Sequence, residues 1–171
     1  MKRLVGKNLV LIGMMGTGKT ETGKLLASAL RRRLVDTDEL LCVRAGLTVT
    51  EIFHQHGETH FRRLEREVVQ ALARENGLVI ATGGGVVLNP ENVVLLRERG
   101  FLVWLQAEAE VLAERLQGDT SRPLLGGEKD LAALLAAREP LYLSAAHARV
   151  DTTGKTPLQA AEEIISLLAE R

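Results

Sequence analysis

The sequence predicts an α/β fold in three layers: a five-stranded parallel sheet flanked by helices on both faces. Two observations carry that expectation. Short, nearly continuous apolar runs rich in Val, Ile and Leu alternate with longer amphipathic stretches, the pattern of strands buried on both faces and joined by crossover helices. The first apolar run also opens into a glycine-rich turn and then a helix-forming segment, a strand–turn–helix unit in which ligands collect beyond the carboxyl end of the strand.

The elements follow in chain order. Asn8–Ile12, NLVLI, is the first strand, and Lys19–Leu30 is the helix behind it. The arginines of RRRL, residues 31–34, suit the negative carboxyl end of that helix and form no nucleic-acid patch. Further strands are expected at 34–37, 78–82, 101–105 and 148–152, and amphipathic helices at 58–74, 90–99 and 108–116. A last helix opens at Thr156, with Pro157 at its first position and Gln159 at its third, the signature of a capped start. It carries Ala160, Ala161, Ile164, Leu167 and Leu168 at helical spacing. No linker or repeat interrupts the pattern, so residues 1–171 read as a single domain.

Composition narrows the class. The 171 residues are 46% hydrophobic, enough for one domain with a sizeable core. Lysine plus arginine (22) equals aspartate plus glutamate (22), so no global field draws the chain to nucleic acid or an anionic membrane. The lone Cys42 excludes an intramolecular disulfide and suits a reducing compartment. The amino-terminal basic and apolar residues mimic a signal peptide, but glycines break the run and no small-residue cleavage site follows. No stretch reaches the roughly 20 apolar residues of a membrane helix. A cytoplasmic monomer is the expectation.

TGKT occurs twice, at 17–20 and 153–156. The first copy ends GMMGTGKT, residues 13–20, which satisfies the phosphate-loop pattern G-x-x-x-x-G-K-[ST] between a strand and a helix. Backbone N–H groups of Gly16, Thr17 and Gly18 cradle phosphate oxygens, Lys19 reaches the β- and γ-phosphates, and the Thr20 hydroxyl suits Mg²⁺. The second copy has Arg149 where the pattern's first glycine would stand, and Pro157 follows it at once. It is mainly a helix cap, although the strand before it ends on the ligand side of the sheet.

Three more clusters bear on the phosphate acceptor. DTD (Asp36, Thr37, Asp38) closes the second strand, and a period of two turns both aspartates to one face. Such a pair suits hydrated Mg²⁺ and a substrate hydroxyl, or the capping of a helix from Glu39. In GETHFRRLE, Arg62 and Glu65 are three apart and hence neighbours on a helix. The carboxylate either prepares the guanidinium to grip an anion or forms a plain surface pair. TSRPLL (120–125) and REPLY (138–142) bracket a glycine- and charge-rich segment, which makes 117–129 a candidate mobile lid carrying Arg122.

Together GMMGTGKT, DTD, IFHQHGETHFRRLE, TGGG, TSRPLL and REPLY resemble the shikimate kinase family, a group within the nucleoside-monophosphate-kinase-like P-loop fold. The likeness covers nearly the whole chain. It implies ATP and Mg²⁺ as cofactors, shikimate as substrate bound over residues 36–65, and transfer of a phosphoryl group to the 3-hydroxyl. By the resemblance, Asp38 binds the ring hydroxyls and accepts a proton, while Asp36 holds Mg²⁺ through water beside Thr20. Arg62 and Arg138 would clasp the carboxylate, with Gly83, Gly84 and Gly85 letting backbone approach the ring. Gly16, Thr17, Gly18, Lys19, Thr20 and Glu21 would line the nucleotide. Arg115 would lie against adenine with Pro157 opposite, Lys155 nearby, and Arg122 on the phosphates. One departure is Leu143, where relatives often carry arginine after Pro-Leu-Tyr.

Other readings compete. Another small-metabolite kinase of this fold, such as gluconate kinase, would share the loop. A GTPase-type switch would need an N-K-x-D motif, which the chain lacks. His54, His56 and His60 cluster in sequence, but only His56 and His60 have helical i, i+4 spacing, so solvent-exposed or satisfied histidines are expected there rather than zinc.

Overall fold

The computed structural model of the chain describes residues 2–117 and 128–169, with the side chains of Lys2 and residues 128–130 excepted. Five strands form one parallel sheet: β1 (Asn8–Ile12), β2 (Arg33–Asp36), β3 (Leu78–Ala81), β4 (Gly100–Gln106) and β5 (Ala148–Asp151), in the order β2-β3-β1-β4-β5. β1 lies at the centre, with Leu9 opposite both Val79 and Phe101. Its five residues are all buried, as a strand covered on both faces requires.

Alternation along the strands builds two cores. Val10, Ile12, Ile80, Leu102 and Trp104 face one way, against α3 (Val49–Leu72), α4 (Pro90–Glu98), α5 (Ala109–Leu116) and α6 (Glu128–Ala145). Leu9, Leu11, Val79, Val103 and Val150 face the other way, against α1 (Lys19–Leu30) and α7 (Pro157–Ala169). The three-layer expectation holds, and α1 and β1 fall where the sequence puts them.

Several boundaries move for identifiable reasons. β2 ends at Asp36, whose Oδ1 accepts the N–H groups of Asp38 (3.0 Å) and Glu39 (3.2 Å) and so starts α2 (Thr37–Ala45) early. Asp36 and Asp38 therefore do not alternate along a strand. One caps the helix and the other lies in its first turn, which corrects the period-two reading. α3 begins nine residues before the expected 58, behind a Thr48–Glu51 capping box, and bends at Gly57 (φ 79°, ψ 175°). Glycine adopts that positive φ without a Cβ penalty, so two helical pieces join there. α6 is not among the helices expected from the sequence, and it runs through Pro140. Leu131, Arg138 and Tyr142 nevertheless bury one face of it, and that packing overrides local propensity.

The capped start of α7 is as expected: Thr156 N–H donates to Gln159 Oε1 (2.9 Å) and Gln159 N–H to Thr156 Oγ1 (3.2 Å). Among the described residues no helix is long and apolar enough to cross a membrane.

Candidate active site

The loops leaving β1, β2, β3 and β5 meet above the carboxyl edge of the sheet and wall two clefts. Residues 13–20 stand between them: Met15 lines one cleft and Gly16 the other.

The phosphate loop is held open by its own backbone. Gly13, Gly16 and Gly18 take φ values of 144°, 83° and 85°, conformations that L side chains rarely adopt. Thr17 Oγ1 donates to the Met14 carbonyl at 2.8 Å. Lys19 is buried inside the loop, its Nζ donating to the carbonyls of Gly13 (2.8 Å) and Met14 (2.7 Å). At the start of α1, Thr20 Oγ1 donates to Asp36 Oδ2 at 2.6 Å. A hydroxyl and a carboxylate in contact form an oxygen-only donor set of the kind Mg²⁺ prefers, so the residues present fit that ion.

The first cleft joins Gly16, Thr17, Gly18 and Glu21 to Arg115, Lys155 and Pro157. Arg115 fastens the two sides. Its Nη1 donates to the Gly16 carbonyl (3.2 Å) and Thr152 Oγ1 (3.1 Å), and its Nη2 to the Thr152 carbonyl (2.7 Å). Lys155 is paired with Glu163 at 2.6 Å. The second TGKT thus caps α7 and also faces the first across this cleft. Thr152, just before it, is an anchor that the sequence reading missed.

The second cleft is walled by Asp38, Phe53, Phe61, Arg62, Glu65, Arg138 and the 83–85 glycines. Arg62 Nη1 donates to both oxygens of Glu65, at 3.2 and 3.1 Å. Only 1% of the Glu65 side chain is exposed, so this is a buried clamp and not a surface pair. Burial pushes the Glu65 carboxyl above its ordinary pKa, and Arg62 pulls against that shift. Glu58 approaches the far side of the same guanidinium at 3.3 Å, a partner that i, i+4 spacing could have revealed. Phe61 lies beneath it, 5.2 Å from Arg62 Cζ to the ring centre, and tilts against Phe53 at 4.8 Å.

Arg138 reaches the cleft from α6. It is 5% exposed, and its Nε is buried without a hydrogen-bond partner among the described residues. A desolvated cation with an idle donor is costly unless an anion meets it. The glycines serve a purpose beyond backbone approach. A Cβ on Gly83 would lie 2.5 Å from Asp38 Oδ1, and one on Gly85 would lie 2.7 Å from Arg62 Cζ. Their missing side chains make room for the acid and base that line the cleft, whereas Gly84 has looser neighbours, the nearest at 3.4 Å.

Arg122 and most of the expected lid, 117–129, lie outside the described residues. His56 and His60 tilt against each other with 4.7 Å between ring centres, and His60 Nδ1 is 3.4 Å from Arg63 Nη2. Among the described residues no three His, Cys, Asp or Glu side chains converge as a metal site.

The family model described as "Shikimate kinase" matches residues 15–169. A shikimate kinase of Geobacter sulfurreducens is 48% identical over 168 residues, covering 96% of this chain and 92% of the relative. One of Symbiobacterium thermophilum is 48% identical over 169 residues, covering 96% and 97%. Among solved structures, the shikimate kinase of Acinetobacter baumannii in complex with shikimate superposes with a TM-score of 0.93 at 35% identity, covering 98% of this chain and 95% of that one.

Proposed function

The chain belongs to the shikimate kinase family, and from that premise we infer how its two clefts divide the transfer of the γ-phosphoryl group of ATP to the 3-hydroxyl of shikimate. The cleft beside Gly16 takes the nucleotide and the cleft beside Met15 takes the acid. The loop between them brings donor and acceptor together.

The observation that carries this division is the pair of arginines in the second cleft. Arg62 is locked by buried Glu65, and Arg138 is buried with an idle Nε. Two cations placed this way suit the single carboxylate of a small ring acid. Asp38 stands across the cleft beside Gly83, where it takes ring hydroxyls. As the 3-hydroxyl oxygen bonds to phosphorus and the bridge to ADP breaks, the hydroxyl proton passes to Asp38. Phe53 and Phe61 cover the apolar side of the ring.

On the nucleotide side, Lys19 exchanges its loop carbonyls for β- and γ-phosphate oxygens. Arg115, Lys155 and Pro157 border the base. Thr20 and Asp36 hold Mg²⁺, which when bound neutralises the charge gathering on those oxygens. The family pattern assigns Arg122 to the same phosphates, and a fall in kcat for Arg122→Ala tests that role. Positioning and charge neutralisation supply the catalysis, since phosphoryl transfer asks little covalent chemistry of a protein.

The decisive experiment is coupled ADP production with purified protein, MgATP and shikimate. The expected result is shikimate-dependent turnover, with only background rates without acceptor or with gluconate. Turnover with gluconate in place of shikimate would reassign the acid cleft. We also infer a monomer in a reducing compartment, supported by scattered exposed apolar residues such as Val5, Val43 and Leu143 and by the half-buried Cys42 thiol. Light scattering in solution checks the first, and fractionation of cells checks the second.

A further inference from the structure

Tyr142 touches Gly84, which walls the acid cleft, without lining the cleft itself. It is completely buried on α6, one helical turn beyond Arg138. Its hydroxyl donates to the Gly84 carbonyl and lies 3.7 Å from Met14 Sδ. The same sulfur meets Arg138 Nη1 at 3.9 Å. From the other side the ring stacks on Trp104 of β4, 5.9 Å between centres. One phenol therefore ties the Arg138 helix to the loop after β3 and to the phosphate loop after β1.

We propose that Tyr142 is a positioning residue for the acid half of the site, holding the Arg138 side chain and the Gly84 peptide in fixed relation without touching shikimate. The proposal rests on the reading that Arg138 grips the substrate carboxylate. A hydroxyl–carbonyl bond made in a buried place is strong, and leaving that carbonyl unmet is costly. Because the peptide unit is planar, fixing the Gly84 carbonyl also fixes the N–H of Gly85, and both residues wall the cleft. An aromatic serving only to fill the core would be equally served by phenylalanine. The hydroxyl partner on a cleft-forming loop gives the oxygen its purpose. Burial pushes the phenol up to about 12, so it stays a donor throughout the neutral range.

Steady-state kinetics of Tyr142→Phe, with each substrate varied in turn, test the role. The expected result is a shikimate KM raised about 3- to 10-fold, with kcat and the ATP KM within about twofold of the parent. Shikimate should also raise the Tm of the variant less than that of the parent. An unchanged shikimate KM would overturn the proposal, as would an equal rise in both KM values, the mark of a generally loosened core. Should Tyr142→Phe not fold, Met14→Leu removes the shared sulfur at similar volume. A rise of about twofold in shikimate KM is then expected, and none would overturn the proposal. Arg138→Ala separates the premise from the inference. If it leaves shikimate KM unmoved, the carboxylate reading fails. If it raises KM while Tyr142→Phe does not, only the positioning role fails.

Discussion

Gly16, Thr17 and Gly18, three consecutive residues, bring the phosphate loop to the nucleotide-side cleft, whereas Asp38, Arg62, Gly84 and Arg138 reach the acid cleft from four separate segments. The first cleft rests on backbone: positive-φ glycines, carbonyls around Lys19 and the amino end of a helix. The second rests on side chains that hold one another, Glu65 on Arg62 and Tyr142 beside Arg138. A backbone cradle suits a ligand group shared by every nucleoside triphosphate. A side-chain cage suits one particular acid. Generality therefore sits in a contiguous motif and specificity in a dispersed one.

That contrast is breakable. The largest effect is expected for Lys19→Ala, a fall in kcat of about 100-fold or more, while calorimetry finds shikimate affinity nearly unchanged. Equal loss of shikimate binding would show that the clefts are not separable. Arg62→Ala is expected to raise the shikimate KM about 10- to 100-fold, the worth of a charged, hydrogen-bonded contact, with the ATP KM unmoved. Gly85→Ala places a methyl against the Arg62 guanidinium and is expected to weaken shikimate binding about 5-fold or more. The same change at Gly84, where the nearest atoms are 3.4 Å away, should cost less. Arg115→Ala mirrors these on the other side, raising the ATP KM about 3- to 10-fold with no change for shikimate.

The smallest effect is spectroscopic and probes the shared wall. Tyr142 is the one tyrosine in the chain, so tyrosinate absorbance reports it alone. Its midpoint should lie near 12 rather than the ordinary 10. The folded value is the higher one, so the stability this group contributes is full below pH 10 and is lost as pH climbs toward about 12. Tyr142→Phe should flatten that part of the pH–stability curve, read by denaturant unfolding. A midpoint near 10 would mean a hydroxyl open to water.

The legible parts of the molecule share a feature. β1, α1 and the loop between them are coded by adjacent residues, with apolar alternation, glycines and Gly-Lys-Thr in one window. The Thr156–Gln159 cap is just as local. Where the reading slipped, a distant partner decided. The second strand stopped at Asp36, and Thr37 turned into α2, because capping two N–H groups outweighed one more ladder position. α6 formed through Pro140 because Leu131, Arg138 and Tyr142 found a core to enter. Arg62 and Glu65 were neighbours by spacing, but nothing in the spacing said that Glu65 would be buried.

By itself, the sequence determined the layered α/β class, the phosphate loop with its lysine, and the identities of the side chains on the acid side. The first two follow from periodicity and from chemistry confined to a few consecutive positions, and the last from the likeness to the shikimate kinase family. Tertiary structure alone decided that Gly83 and Gly85 clear space for Asp38 and Arg62, that Arg138 is buried with a donor to spare, and that Tyr142 ties three segments together. Burial and mutual distance arise when remote parts of a chain pack, and no local pattern encodes which groups lose their water.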